Sequence, residues 1–406
     1  MADKAKSVSA DLFGVSDLSP QPLHTRQKRL GGWRIITVAL VSLISILFVS
    51  AGAVLGIVYQ DLRSDLTTVE LSGATEPVLP EIGEMEGGFN VLVVGSDTRE
   101  GQGDQFGSVD SELNDVNLLI NVSQNHDSLT VISLPRDLIV DIPDCKENDG
   151  SLSSPTEVKP LNRAMGSGGL ACVVSTVENL TGLDIGYAGL ITFTGVAQLS
   201  TAVGGVEVCV DAPLVDPWSG INLPQAGSHV LEGGQALAFL RTRKGVGDGS
   251  DLARISSQQV YMAALVRTLQ EDGLLNDLSR LYAIARTASQ TMILSTSLAS
   301  LDVMVAMART LRGIPGENII FIRYPVLDAD ETLFPGKVVP NEPLAGQVLD
   351  RLRSGSSFSV TEGSLGPGST GNQLKEEPDS KTQDAPDALE GLVGQTAEQE
   401  TCASVN

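Results

Sequence analysis

The chain has 406 residues, of which 42% are hydrophobic and 4% aromatic, and its formal net charge is -23 at pH 7. This length allows one large domain or two ordinary ones, and the apolar content is sufficient for a sizeable core. Because so acidic a chain repels nucleic-acid phosphates, the composition argues against DNA or RNA as a partner.

The N-terminal part predicts a membrane anchor. Residues 1–34 form a polar, basic segment, and residues 35–59 carry no charge over a length that crosses about 30 Å of hydrocarbon. Basic residues precede this transmembrane helix and Asp61 and Asp65 follow it, so the positive-inside rule predicts a single-pass anchor in the cell membrane, a cytoplasmic N-terminus and an extracytoplasmic remainder. A cleaved signal peptide is the alternative, because Ala51-Gly52-Ala53 resembles a cleavage site; the long polar lead and apolar core favour the anchor.

The part after the anchor alternates strands and helices. Residues 60–87 are predicted to form a juxtamembrane spacer, and three apolar runs of strand length then follow at 89–95, 116–122 and 129–134. Such runs indicate a sheet that is covered on both faces. The later predicted elements are helices at 172–180, 254–269, 275–288 and 298–311, and strands at 189–193, 206–210 and 318–324.

This alternation predicts the fold class α/β, as a three-layer α/β/α domain with a central mixed β-sheet over residues 88–353. The composition changes at Ser354, after which large apolar residues are rare and Gly, Ser, Pro, Gln and acidic residues dominate. We therefore predict a disordered acidic tail over residues 354–406.

The cysteines indicate an exported domain. The chain has 4 cysteines and 3 histidines and no C-x-x-C pair, which leaves little material for a zinc site or a Cys–His nucleophile. We predict a disulfide between Cys145 and Cys172, which lie in the same irregular region. Cys209, inside the run VEVCV, is predicted to be a buried strand residue.

A basic cluster lies in the segment ALAFLRTRKGVGDGSDLARISSQQ, at residues 236–259. Asp251 is a suitable N-cap for a helix beginning at Leu252, and Arg254 in its first turn would face Arg241 and Arg243 across a glycine loop. Guanidinium groups that meet at a flexible loop and a helix N-terminus suit a phosphate or diphosphate. The alternative is a surface network of ion pairs with the two aspartates of the segment.

Polar residues also stand at the ends of the first three strands. Asp97 and Arg99 follow the first strand, and Asp115 opens the second. If these strands are antiparallel neighbours, the two aspartates lie close enough to hold Mg²⁺ through oxygen. Arg136 follows the third strand at the sheet edge. The alternatives are ordinary turn chemistry for the aspartates and pairing of Arg136 and Asp137 with their neighbours.

These segments together carry a family resemblance. NVLVVGSDTRE, NDVNLLINVS, SLPRDLIVDIP, LNRAMGSGG, TVENLTGLDI and AVGGVEVCV precede the arginine-rich segment in this order. Over about Asn90 to Leu265, this ordered set resembles the LytR-CpsA-Psr family. The resemblance implies an extracytoplasmic phosphotransferase that moves a glycan from a polyprenyl diphosphate carrier onto peptidoglycan, forming a phosphodiester.

The resemblance also implies roles for individual residues. Asp97 and Asp115 match the Mg²⁺ ligands, Asp251 matches an acidic residue held against the arginines, and Gln258 matches a polar substrate-binding residue. The residues that match the diphosphate-binding, catalytic arginines are Arg99, Arg136, Arg241, Arg243 and Arg254. Asp251 would either accept the proton of the attacking hydroxyl or orient the arginines.

The chain departs from the family pattern at three positions. Leu113 and Ser257 stand where the family often has basic residues. The family's Lys-x-Asn triplet is stretched to Lys159-Pro160-Leu161-Asn162; Lys159 matches its substrate-binding lysine, one residue farther from the asparagine than in the family pattern.

Two other readings of the site remain open. A phosphatase would use the same residues with water as the acceptor. A non-catalytic envelope scaffold or regulator would not need the arginines and the metal-binding aspartates at all.

Overall fold

A computed structural model describes residues 67–71, 85–96, 113–146, 157–271, 278–361, 364–372 and 388–406. The strands are β1 (Thr67–Val69), β2 (Phe89–Ser96), β3 (Asn114–Val122), β4 (Leu129–Ser133), β5 (Ile139–Ile142), β6 (Glu157–Pro160), β7 (Tyr187–Thr192), β8 (Val206–Val210), β9 (Leu214–Asp216), β10 (Ile221–Leu223), β11 (Gly227–Leu231), β12 (Met292–Ser295), β13 (Ile319–Arg323), β14 (Val326–Asp328), β15 (Val338–Pro340), β16 (Ser369–Gly371), β17 (Gly394–Thr396) and β18 (Thr401–Ala403). The α-helices are α1 (Gly169–Thr181), α2 (Phe193–Val203), α3 (Gly233–Arg241), α4 (Asp251–Glu271), α5 (Leu278–Thr291), α6 (Leu301–Arg312) and α7 (Glu342–Ser354).

An eight-stranded mixed sheet forms the centre, in the order β1-β12-β7-β2-β3-β4-β13-β17. The strands β2 and β3 are antiparallel neighbours, which meets the condition set in the sequence argument for Asp97 and Asp115, and Ser96 at the end of β2 pairs with Asn114 at the start of β3. The β4 and β7 strands run parallel to their neighbours β13 and β2. This mixed α/β architecture confirms the fold class at that level.

Both faces of the sheet are buried. In β2, Leu92 and Val94 point into a core shared with α1 and α7. On the opposite face, Phe89 and Val91 contact a core that contains residues of α4 and α6. This alternation follows from the two-residue period of a strand and explains why β2 is apolar on both sides. The predicted helices and strands agree with the observed elements to within three residues at each end.

A second sheet was not anticipated. It has the strand order β11-β8-β18-β16, and its core includes Val206 and Val208 of β8, Phe239 of α3 and Tyr261 of α4. The same helix α4 therefore packs on both sheets. The residues of α4 that contact the two cores, Tyr261 and Ala263 among them, lie in the middle of the helix.

Two predicted boundaries are wrong. The predicted spacer contains β1, which pairs with β12 at the edge of the central sheet, and Met85, which is buried in the core. The predicted disordered tail contains residues 388–406, where β17 pairs with β13 and β18 pairs with β8. Short edge strands gain stability from backbone pairing with a preformed sheet, so their composition alone does not reveal them.

Two disulfides cross-link the domain. The predicted bond between Cys145 and Cys172 is confirmed. Cys209 is a buried strand residue, as predicted, but it is also bonded to Cys402, its register partner in β18. Cross-linking residues 193 apart in sequence restricts the unfolded chain strongly. This bond is a second reason why the chain's last residues are ordered.

The predicted cytoplasmic segment and transmembrane helix, residues 1–59, lie outside the described residues. Within the described ranges, every helix is too short or too polar to cross a membrane.

Candidate functional site

Charged residues from three segments meet at the first turn of α4. Asp115 is the second residue of β3, Arg136 lies in the turn after β4, and Asp251 and Arg254 occupy the first turn of α4. The backbone of Arg136 is fixed on both sides, because Leu138 N donates to Pro135 O and Asn162 N donates to Arg136 O. The sequence thus brings together side chains that are up to 139 residues apart.

The start of α4 differs from the prediction in one respect. Ser250, and not Asp251, is the N-cap, since its Oγ accepts a hydrogen bond of 3.1 Å from Ala253 N. Asp251 is the first helical residue, so its carboxylate stabilises the positive end of the helix and is available to other partners. A serine can cap as well as an aspartate, and Ser250 immediately precedes Asp251 in the sequence.

The four side chains form one ion-pair network. Arg136 Nη1 lies 2.7 Å from Asp115 Oδ1, and Arg136 Nε lies 3.2 Å from Asp251 Oδ1. Arg254 Nη2 lies 2.7 Å from the same Asp251 oxygen and donates to the backbone oxygen of Asp115 at 3.3 Å. One carboxylate oxygen of Asp251 therefore bridges two guanidinium groups.

Burial and charge act against each other in this network. Arg254 is only 8% exposed, and burial lowers its pKa; Asp251 opposes that shift, whereas Arg136 and Arg243 add to it by repulsion. Burial also disfavours the charge of Arg136, but Asp251 and Asp115 outweigh it and raise its pKa. An additional anion would relieve the mutual repulsion of these cations.

The network has unused hydrogen-bonding capacity. Within the part of the chain that the structure describes, Nε of Arg136, Nε of Arg254 and both carboxylate oxygens of Asp251 are buried without a hydrogen bond of good geometry. Asp251 Oδ1 lies within ion-pair distance of both guanidinium groups, but neither contact has the geometry of a hydrogen bond. Buried polar groups are normally paired, and exceptions point to a functional role or to a group that binds there.

Other predicted residues lie around this network. Arg243 is near enough to shift the pKa of Arg254, and its Nε donates to Gly249 O at 3.2 Å. Gln258, a buried residue of α4, donates to Leu240 O at 2.8 Å and so joins α4 to α3. It supports the segment that carries the arginines.

Three further predicted residues are Lys159, Asp97 and Arg99. Lys159 is exposed on β6, in register with Val140 of β5. Asp97 and Arg99 lie outside the described residues. The predicted approach of Asp97 to Asp115 therefore stays a prediction.

Arg241 ends α3 and faces a cavity. Its guanidinium carbon lies 4.4 Å from the centroid of the Phe193 ring, a cation–π contact at the start of α2. The cavity has a volume of about 670 Å³ and lies between α2 and α3, with Thr287 of α5 at its side. Its lining includes Ala197, Ala202, Leu237 and Ala238 as well as Arg241.

Asp216 is a residue of the site that no sequence motif indicated. This carboxylate is 2% exposed; it accepts hydrogen bonds from the Thr242 hydroxyl at 2.6 Å and from Trp218 N at 3.0 Å. Burial raises the pKa of Asp216, but the Thr242 hydroxyl and the backbone amides of Trp218 and Arg243 outweigh that effect and lower it. Because Thr242 stands between Arg241 and Arg243, Asp216 fixes the backbone that presents both arginines.

Asp137 and Lys337 were also missed as parts of the site. Lys337 Nζ lies 2.5 Å from Asp137 Oδ1, and Arg136 Nε lies 3.7 Å from Asp137 Oδ2. Lys337 precedes β15, about 200 residues after Asp137. Only the tertiary structure brings this cation to the edge of the network.

The comparisons with known proteins bear on this arrangement. The sequence profile of the LytR_cpsA_psr family matches residues 58–344. The chain belongs to this family. It is 27% identical over 354 residues to the cell wall biosynthesis protein LcpA of Corynebacterium glutamicum, across 78% of this chain and 65% of the relative. It is 27% identical over 250 residues to the polyisoprenyl-teichoic acid–peptidoglycan teichoic acid transferase TagT of Bacillus subtilis, across 59% of this chain and 71% of TagT.

A solved structure supports the fold of this LytR_cpsA_psr family member. The LytR-Csp2A-Psr enzyme from Actinomyces oris matches with a TM-score of 0.54 and 24% identity, over 72% of this chain and 96% of that structure. The chain spans less than two thirds of the corynebacterial relative's length, at 65%. The resemblance stated from the sequence motifs is therefore confirmed at the level of the family.

Proposed function

We propose that this protein is a membrane-anchored, extracytoplasmic phosphotransferase, which moves a glycopolymer from a polyprenyl diphosphate carrier onto peptidoglycan. The observation that carries the proposal is the guanidinium pair of half-buried Arg136 and buried Arg254, whose buried Nε atoms have no hydrogen bond of good geometry beside Asp251. Guanidinium groups match the oxygens of a phosphate in charge and geometry. The activity for which the relative TagT is named supports the same reaction class.

The proposed reaction breaks a phosphoanhydride bond and forms a phosphate ester bond. The oxygen of a peptidoglycan hydroxyl attacks the phosphorus that bears the glycan, and a new P–O bond forms. The bond from that phosphorus to the bridging oxygen breaks, and polyprenyl phosphate leaves with the electron pair. Arg136, Arg254 and Arg243 would stabilise the negative charge on the phosphate oxygens, in a site where little water screens them.

Two roles were considered for Asp251, orienting the arginines and accepting the hydroxyl proton, and its contacts fit the first. Its Oδ1 bridges Arg136 and Arg254, so the carboxylate holds both guanidinium groups at one place. Its buried Oδ2 has no hydrogen-bonding partner among the described residues and remains available to receive the hydroxyl proton. Both functions are compatible with one carboxylate.

The residues of the site fit a magnesium ion that is held partly by the substrate. Mg²⁺ prefers oxygen ligands, often one or two carboxylates together with phosphate oxygens and water. Asp115 supplies a partly exposed carboxylate, and the described residues contain no cluster of three or more potential protein ligands. We propose Asp115 and Asp97 as the protein ligands; a bound Mg²⁺ would neutralise charge on the diphosphate.

The cavity beside Arg241 is our proposed site for the start of the polyprenyl chain. Ala263 of α4 and Val303 of α6 are buried in the core of the central sheet, so these residues belong to the ordinary core. The cavity between α2 and α3 instead has a mixed lining, with three alanines and Leu237 beside threonines and with Arg241 as a cation at one side. A membrane anchor over residues 35–59 would keep this cavity near its lipid substrate.

The test uses the full chain in detergent micelles, a polyprenyl-diphosphate-linked oligosaccharide, a peptidoglycan fragment and magnesium. Mass spectrometry identifies the products formed by the wild type, by Arg136→Lys and by the control Arg353→Lys, an exposed arginine on α7. We expect a glycan-phosphate-peptidoglycan adduct with the wild type and the control, and at least a hundredfold less with Arg136→Lys. Free polyprenyl phosphate and hydrolysed glycan without an adduct would support the phosphatase alternative. No turnover by folded wild-type protein would support the scaffold alternative.

A further inference from the structure

The loop Lys244–Gly249 connects two groups of site residues and is held from outside by the chain's last residues. It begins directly after Arg243 and ends directly before the N-cap of α4. We propose that Ser404, Val405 and Asn406 form a clamp that positions this loop, and with it Arg243 and the start of α4, for phosphoryl transfer. The inference rests on the proposed function for its kinetic consequence.

The clamp contacts the loop through its backbone. Gly247 N donates to Ser404 O at 2.9 Å, and Asn406 N donates to Gly245 O at 3.1 Å. Val405 and Val246 are paired in an antiparallel bridge between these two hydrogen bonds. The side-chain amide of Asn406 adds a hydrogen bond of 3.3 Å to Lys244 O. Three consecutive residues thus behave as a short extra strand along the loop.

The clamp is itself firmly attached to the domain. Val405 N donates to the Asp211 carboxylate at 2.8 Å, and Ser404 N donates to Gly368 O at 3.1 Å. Cys402, two residues before Ser404, is bonded to Cys209 of β8. Val405 packs on the core of the second sheet, in which Val246 is completely buried. The clamp therefore connects the loop to a sheet that a disulfide cross-links.

The loop needs such support because its glycines are permissive. Gly247 and Gly249 have φ values of +51° and +76°, in the left-handed region that glycine adopts at little cost. A Cβ at Gly247 would lie 2.3 Å from Pro367 O, so the backbone approaches its neighbour too closely for a side chain. Glycines also leave the unfolded and partly open loop many conformations, which outside contacts must restrict.

The position of the loop sets the position of a site arginine. Gly249 O accepts the hydrogen bond from Arg243 Nε, and Gly249 N donates to Val246 O, the residue that pairs with Val405. Ser250 then caps the helix that carries Asp251 and Arg254. The clamp is therefore linked to the guanidinium of Arg243 through Val246 and Gly249. The clamp also lies outside residues 58–344, which match the family profile.

The experiment compares full chains that differ only at the clamp. One variant lacks residues 404–406, the second carries Val405→Gly, and Val405→Ile preserves the packing. Thr370→Ala is the control, because Thr370 pairs with Cys402 on the opposite edge of β18. The transfer assay with wild type as reference gives kcat and the KM for the lipid donor, and hydrogen exchange follows the amides of residues 245–249.

We expect the deletion to raise exchange at Gly247 about tenfold, because it loses its hydrogen bond, and to lower kcat about tenfold or more. Val405→Gly should have the same effects to a smaller extent, whereas Val405→Ile and Thr370→Ala should resemble the wild type. A lowered melting temperature will show whether the deletion unfolds the domain. In that case the exchange and kcat of Val405→Gly test the inference. Loosened exchange with unchanged kcat, or unchanged exchange, would overturn the inference. If the wild type is inactive but the deletion still raises exchange in the loop, the result contradicts the proposed function and supports the clamp.

Discussion

Two aspartate–arginine pairs in this molecule have the same spacing and opposite environments. Asp251 and Arg254 lie three residues apart in the first turn of α4, with 2.7 Å between their charged atoms and side chains that are each 10% exposed. Asp350 and Arg353 lie three residues apart in the last turn of α7, at 2.9 Å, with side chains that are 78% and 44% exposed. The contact is the same, and only the surroundings differ.

The two environments predict different contributions to stability. An exposed pair loses little hydration and gains little, whereas burying charges costs several kcal/mol that one contact rarely recovers. The buried pair also retains unpaired atoms, including Arg254 Nε and Asp251 Oδ2. A network optimised for stability alone would satisfy those atoms. These unpaired buried atoms beside two cations are the basis on which we propose an anionic ligand at this site.

The largest effect should come from neutralising the buried carboxylate. Asp251→Asn leaves Arg136 and Arg254 close together without the oxygen that bridges them, so we expect unfolding to become easier by about 3–5 kcal/mol. Urea denaturation of both proteins measures this difference. A loss under about 1 kcal/mol would mean that water reaches the site and screens it as it screens the exposed pair.

The next effect concerns transfer. Arg254→Lys keeps the charge but removes the planar fork of donors, so we expect the transfer rate to fall by about 10²–10³-fold. The matched substitution Arg353→Lys should leave the rate unchanged. Equal rates for both variants would remove the functional distinction between the pairs.

Asp216 extends the comparison to a buried carboxylate whose partners are all neutral. Its lowered folded-state pKa means that it stabilises the fold above about pH 4, the unfolded value, and that this contribution fades as pH falls through the folded pKa. Asp216→Asn should therefore destabilise the protein by about 1–3 kcal/mol at pH 7. The gap from wild type should narrow below about pH 4. Thermal unfolding across pH 3–7 tests this, and a gap independent of pH would contradict it.

The smallest effect belongs to the exposed pair. Asp350→Asn should change the free energy of unfolding by less than about 1 kcal/mol, and added salt should reduce even that difference. Denaturation at low and high ionic strength provides the measurement. A loss as large as that of Asp251→Asn would show that burial does not distinguish the pairs.

The sequence predicted the features of the fold and the site that depend on local patterns. Apolar strand runs and helix periods located β2, β3 and α4, and strand ends placed Asp115 and Arg136 at one edge of the sheet. Arginines around a glycine loop indicated an anion site. Each of these signals lies within a few residues of the feature that it predicts.

The features that the sequence did not predict depend on distant contacts. Asp216 precedes a proline in a short strand and resembles ordinary turn chemistry, although its partner Thr242 is 26 residues later. Lys337 reaches Asp137 through a hairpin that only the fold brings near. The segment that contains Cys402 was judged by its polar composition, whereas pairing with β8 and a disulfide order it. Short strands of this kind carry too few apolar residues to be recognised.

Binding of a soluble short-chain donor analogue tests the central claim most directly. Isothermal titration would measure the affinity of geranylgeranyl diphosphate for the full chain, with magnesium present, for the wild type, Arg254→Lys and Arg353→Lys. We predict that Arg254→Lys weakens binding by about tenfold or more and that Arg353→Lys binds as the wild type does. Equal affinities in all three proteins would contradict the conclusion that the buried arginine network is a diphosphate site.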